Sequence, residues 1–235
     1  MYKNYVILIL FFLSSQLFGQ SNPWKILLNT SDDRQVYDII EGEANNIYFT
    51  GSVREQDCYD YSGFVYKTDF NGFLVDSCFY SNTDSSIVVT SILKDASDTY
   101  TLGLKTFNKT SEFNGCGFLL RRINTELNTV KKSKSYLFPT NYHGIQTYVT
   151  LGLNNNIITF GYIFTGVYSP RMFIYETNYL FDSIKAKIFI NDGSIVPMKL
   201  KQLNSFNYWI IGEVHPKYLL IDLFLLYLKL KPALL

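Results

Sequence analysis

The densest run of chemically able side chains in this sequence is Arg54, Glu55, Gln56, Asp57, Cys58, Tyr59, Asp60, Tyr61. Three carboxylates beside two tyrosines have the makings of a cation or sugar site. Acids accept bonds from hydroxyls and metal ions, and phenol rings present flat apolar faces. A solvated surface loop accounts for the same composition. The counterparts farther along, KTFNKTSEFNGC (105–116) and IFTGVYSP (163–170), do not repeat the acids. The spacing therefore predicts a loop, not a recurring site.

Asp69-Phe70-Asn71-Gly72 resembles the opening of a calcium loop, but the residues after it lack the closing Glu. Asn-Gly between apolar runs predicts a hairpin turn, with Asn124-Thr125 and Asn178-Tyr179 as its counterparts. Cys58, Cys78 and Cys116 contain no C-x-x-C pair. They fit one disulfide with a thiol left over, or small buried apolar residues. His143 and His215 are the only histidines and stand far apart, so no zinc signature forms. G-x-S-x-G, a phosphate-binding glycine loop and H-E-x-x-H are all missing. No catalytic, cofactor-binding or metal-binding residue is assigned from the sequence, and no cofactor is expected. Paired loop carboxylates remain a route to polysaccharide cleavage by acid and base.

The elements that must position such groups follow from composition and period. The chain has 235 residues, 47% of them hydrophobic and 17% aromatic, with 19 Tyr and 19 Phe. That composition favours strands and excludes disorder. The net charge is +1, and the only basic cluster is Lys131, Lys132 and Lys134. Nucleic acid is therefore not an expected partner, and the lysines read as a solvated face. Lys3, the apolar run at 6–13 and the small residues up to Gly19 predict a signal peptide over 1–19. The run is too short for a spanning helix, so no integral membrane span is expected.

Four segments align on a glycine: NIYFTG (46–51), DTYTLG (98–103), NIITFG (156–161) and NYWIIG (207–212). Each opens on a turn residue, carries Tyr48, Tyr100, Ile158 or Trp209 two places later, and ends in Gly. An apolar strand precedes each segment. After the first three, a loop, another strand and a tight turn follow. The last strand of these units is expected to open at Leu74, Leu127 and Leu180, each 53 residues from the next. Four antiparallel strands per unit, apolar on both faces, predict an all-β, β-propeller-like array. The blades are expected at about 36–80, 86–137 and 144–190, with a partial fourth at 194–214, inside a repeat region of 20–214. A β-solenoid or a pair of sandwiches is the alternative.

The phrases NIYFTG and GFVYKTDFNG (63–72) resemble the β-propeller repeats of proteins exported by type IX secretion in Gram-negative gliding bacteria. The likeness runs over about 24–212. It implies an extracellular or cell-surface location and no catalytic set. The C-terminal sorting domain usual in such proteins is not found here. Past Gly212 the pattern is expected to stop, leaving a Leu-rich tail over 215–235 that reads as a truncation, an outer strand pair or an amphipathic helix. The functional expectation is a secreted or surface binding or scaffold protein for a glycan or a protein. The alternatives are an extracellular polysaccharide hydrolase or lyase, and a non-functional remnant.

Overall fold

Runs of Tyr, Phe, Ile, Val and Thr broken by Asn, Asp and Gly fold here as short antiparallel strands. The computed structural model describes residues 33–54, 60–96, 98–109, 115–133, 135–138, 143–164, 170–189, 194–204, 207–215 and 222–229. The expected signal peptide lies outside them.

Sheet 1 is β1 (Asp33–Glu41), β2 (Asn46–Arg54), β3 (Tyr61–Asp69) and β4 (Leu74–Tyr80). Sheet 2 is β5 (Ser85–Lys94), β6 (Thr99–Asn108), β7 (Gly117–Asn124) and β8 (Thr129–Lys132), with β9 (Tyr136–Leu137) also on β7. Sheet 3 is β10 (His143–Leu151), β11 (Ile157–Phe164), β12 (Pro170–Thr177) and β13 (Ser183–Ile188). Sheet 4 is β14 (Ser194–Asn204), β15 (Asn207–His215) and β16 (Asp222–Lys229). All pairings are antiparallel and, apart from β9 on β7, join neighbours in the chain. The chain is a β-propeller-like array of four-stranded antiparallel blades, three complete and a fourth of three described strands. Residues 222–229, inside the Leu-rich tail, supply the third strand of sheet 4.

The four aligned segments occupy the second strand of each sheet. Their glycines face the first strand of the same sheet: Gly51 opposes Val36, Gly103 Ser91, Gly161 Thr147 and Gly212 Pro197. A Cβ at Gly51, Gly161 or Gly212 would overlap the carbonyl oxygen of Gln35, Gln146 or Val196. At Gly103 it would meet the side chains of Ser91 and Val149 instead. Close backbone approach is therefore what recurs, and sheet 2 meets it with side chains.

The first strands pack beside one another, β1 on β5, β5 on β10 and β10 on β14. Bulges at Tyr37 in β1, Thr90 in β5 and Met198 in β14 shift the register of these strands. A bulge brings two consecutive side chains towards one side. In β1 the Oδ2 of Asp38 accepts the Ile92 N–H of β5 at 3.0 Å. In β5 the Oγ of Ser91 accepts the Val149 N–H of β10 at 3.1 Å, and the hydroxyls of Thr90 and Thr147 lie 2.6 Å apart. One bond is thus handed from sheet to sheet.

Opposite the loops, three hairpin turns share one geometry. The Oδ1 of Asp69 accepts the N–H groups of Asn71 and Phe73. Asn124 does the same for Glu126 and Asn128, and Asn178 for Leu180 and Asp182. A turn explains all three, so Asp69 is committed to the backbone. This geometry also corrects the expected start of the last strands. The left-handed position is held by Gly72 (φ 83°), Leu127 (φ 59°) and Phe181 (φ 67°). Leu74 lies in β4, whereas Leu127 and Leu180 lie in turns, so the equal spacing of the leucines crosses three different slots. Leu127 and Phe181 are buried, and that burial offsets their backbone strain.

These turns are latched to the preceding sheet. Lys67 Nζ donates to the Thr125 carbonyl at 2.9 Å, and Arg122 Nη1 to the Tyr179 carbonyl at 2.9 Å. Arg122 is 3% exposed and pairs with Asp95, itself 0% exposed, at 2.6 Å. Asp95 also accepts the hydroxyls of Thr99 and Thr101. In sheet 3 the equivalent position is Glu176, which accepts Tyr208 Oη from sheet 4 and Asn156 Nδ2.

Cores lie between sheets. Tyr48, Val65, Tyr100, Leu102 and Leu104 fill the first junction, and Ile158, Phe160, Leu200, Tyr208 and Ile210 the third. Sheet 4 packs one face on sheet 3. Met198, Leu203, Trp209 and Ile211 stand exposed on the other, so Trp209 holds its expected register without burial.

Candidate functional site

At the loop end the second strands run on past their glycines. Sheet 2 continues Leu104, Lys105, Thr106, Phe107, and sheet 3 continues Tyr162, Ile163, Phe164. Between them β10 enters through an irregularity at Gly144, whose φ of 64° suits glycine. A cavity of about 190 Å³ results, lined by Lys105, Phe107, Gly144, Ile145, Gln146, Tyr162 and Phe164.

Three of its lining residues, Phe107, Tyr162 and Phe164, are aromatic. Tyr162 and Phe164 meet edge to face, with centroids 5.4 Å apart and planes at 90°. The Lys105 ammonium lies 5.7 Å from the ring centres of both Tyr37 and Phe107. Phe107 meets Tyr61 edge-on at 5.6 Å, and the Arg54 guanidinium lies 5.7 Å from the Tyr61 ring. Cation–ring and ring–ring contacts thus run from Arg54 through Tyr61, Phe107 and Lys105 to Tyr37 along this end.

Nearer the axis lies a second group. Asp38 Oδ1 accepts the Ile39 N–H at 2.9 Å while Oδ2 holds Ile92. Burial raises the Asp38 acid above the usual carboxylate range; the two N–H bonds and the Lys199 ammonium oppose that shift. Burial likewise raises the Tyr148 phenol; a bond with Gln146 eases the rise and the Asp38 charge adds to it. β1, β10 and β14 so bring Asp38, Tyr148 and Lys199 within electrostatic reach, and Gln146 joins this group to the cavity. Among the described residues, the first strands of the sheets carry carboxylates only on β1, at Asp33, Asp38 and Glu41.

The loop cluster read from the sequence is divided by the structure. Arg54 and Tyr61 border the cavity through Phe107, and Asp60 pairs with Lys109 at 2.6 Å. Residues 55–59, Cys58 included, lie outside the described residues. Cys78 lies in β4 and Cys116 just before β7, and neither forms a disulfide, so the disulfide expectation is not met by these two. Cys116 packs against Phe118 and Phe173, and burial pushes its thiol up to about 11. His143 opens β10 and His215 closes β15. Lys131 and Lys132 lie on β8, a largely exposed strand, and Lys134 is outside the described residues.

The cavity residues and Asp38 were not singled out from the sequence. The signal was present in the extension of β6 and β11 past their glycines by Lys105, Phe107, Tyr162 and Phe164.

No family model matches the chain, and no curated protein matches it. Among solved structures the chain is similar to an endo-arabinase from Bacteroides thetaiotaomicron. The TM-score is 0.51 at 13% identity, over 83% of this chain and 75% of that one. It is also aligned with a bifunctional GH43-CE protein from Bacteroides eggerthii. That match has a TM-score of 0.45 at 10% identity, over 86% of this chain and 28% of that one. The first likeness shows the propeller-like fold.

Proposed function

We propose that this chain is a saccharide-binding propeller of the cell exterior. The observation that carries the reading is the open cavity lined by the rings of Phe107, Tyr162 and Phe164, with the polar groups of Lys105, Gln146 and Tyr162 beside them. Sugar rings present apolar C–H faces and a rim of hydroxyls. Perpendicular aromatic rings cover the former and a few fixed polar groups take the latter. The signal over 1–19 supports export, and the likeness to type IX cargo repeats supports a surface location. Binding of soluble oligosaccharides to the mature chain, measured by calorimetry, tests the reading. Phe164→Ala is expected to weaken binding by at least about tenfold with little change in melting temperature. Unaltered binding in that variant overturns the assignment of the cavity.

A second reading is a polysaccharide hydrolase, favoured by the raised acid of Asp38 beside the axis. Cleavage by two carboxylates needs a second acid across the sugar. Incubation with soluble polysaccharides, arabinan included, and analysis of the products tests it. Reducing ends that appear with the wild type and vanish with Asp38→Asn support it; no product with the wild type rules it out.

A further inference from the structure

We infer that the outer edge of β4 is an interface whose occupant is the β4 strand of a second copy of this chain, laid antiparallel along it. β4, β8 and β13 are the fourth strands of the three complete sheets, and among the described residues β4 pairs with β3 alone. An edge strand presents a row of main-chain donors and acceptors. Proteins that stay apart guard such a row with lysines, short strands or bulges. All three hairpins share a register shift, at Val75, Val130 and Ile184, so the bulge does not set β4 apart. Charge does. β8 has four residues and carries Lys131 and Lys132, and β13 carries Lys185 and Lys187. β4 is seven residues long, LVDSCFY, with no basic side chain. Leu74, Val75 and Phe79 are each at least 50% exposed, and Phe73 just before them is 68% exposed. Phe79 meets Tyr66 edge-on at 5.9 Å, whereas Cys78 and Tyr80 pack into the core shared with sheet 2.

The sequence of β4 fits itself. Full antiparallel overlap of two such strands places the midpoint, Ser77, opposite Ser77 of the other copy. Val75 of each copy then comes beside Phe79 of the other, and branched–aromatic pairs across a ladder are favourable. The single charge, Asp76, stands opposite Cys78 and not opposite itself. In one copy alone, Asp76 Oδ1 accepts the Ser77 N–H at 2.7 Å. In the pair, the Ser77 carbonyl of the other copy accepts that N–H instead. Self-pairing of β8 or β13 would gather four lysines along one ladder, which like-charge repulsion opposes. A two-fold pairing uses up both β4 edges, so assembly stops at two copies. A ladder of this length is a small interface, and the dimer is correspondingly weak and concentration-dependent.

Sedimentation of the full mature chain tests this. At about 100 μM the wild type is expected to run as monomer and dimer together, with the dimer fraction rising with concentration. Val75→Lys combined with Phe79→Lys, which gives β4 the charge that β13 carries, should leave monomer only, with a melting transition that shows the chain folded. Ile184→Lys on β13 should leave the dimer as it is. A second measurement reads the register. With Cys58, Cys78 and Cys116 replaced by alanine, Ser77→Cys should link two chains on oxidation and Ile184→Cys should not. Four outcomes overturn the inference: a wild type that stays monomeric at that concentration, a dimer that survives the double substitution, a link at Ile184→Cys as strong as that at Ser77→Cys, or assemblies that grow beyond two copies.

Discussion

The two ends of these sheets are built on opposite principles. At the turn end nearly every polar group is committed. Asp69, Asn124 and Asn178 close their own turns, Lys67 and Arg122 latch onto the next one, and Asp95 serves Arg122, Thr99 and Thr101 together. At the loop end the same strands present rings, one ammonium and a cavity. A group that completes a turn is not available to a ligand. The comparison teaches that fold stability sits in the repeated end and recognition in the end where the repeats diverge.

Substitutions break or sharpen this contrast. The largest effect is expected at the turn end, from Asp95→Ala. It strands a buried guanidinium whose Nη2 already lacks a partner, and should cost about 3–5 kcal/mol in urea unfolding. Next comes Gly161→Ala, whose new methyl overlaps a backbone carbonyl, at about 2–3 kcal/mol. Gly103→Ala meets side chains that can turn aside, and about 1 kcal/mol is expected. If both glycine variants melt alike, the difference between sheets 2 and 3 is not the one described. Phe164→Ala at the loop end should cost only about 1 kcal/mol, since that ring is half-exposed. A loss as large as that of Asp95→Ala would erase the division between the ends.

The smallest effect concerns pH. Asp38 binds its proton more readily folded than unfolded, so its contribution to stability is highest below the unfolded value of about 3.9 and falls as pH rises through the folded one. Wild type should therefore lose stability relative to Asp38→Asn as pH rises above the unfolded value of about 3.9. A flat difference over that rise would show that burial does not dominate at this carboxylate.

Much of the turn end was legible in the sequence. Asn or Asp at a fixed distance from apolar strands reports turn chemistry directly, and the glycine of NIYFTG reports a close approach. The leucine spacing misled, because Leu127 and Phe181 take a backbone position that Gly72 takes freely, and only their burial explains it. The loop end was hardly legible. Lys105 and Phe107 were visible only as part of KTFNKTSEFNGC, and a cavity made by β6, β10 and β11 has no local signature. The acid-rich run at 54–61 stands out by composition, and among its described residues Arg54 and Tyr61 border the cavity. Asp38 was hidden for another reason: its place near the axis depends on a bulge at Tyr37, which alternation alone does not reveal.

The exposed apolar side chains of sheet 4 have a kinetic consequence. Met198, Leu203, Trp209 and Ile211 stand open to solvent, whereas the strands of sheet 2 from β5 to β7 are buried along most of their length. Amide protons of β14 and β15 should therefore exchange with solvent sooner than those of β5, β6 and β7, so that sheet 4 loosens before the molecule unfolds as a whole.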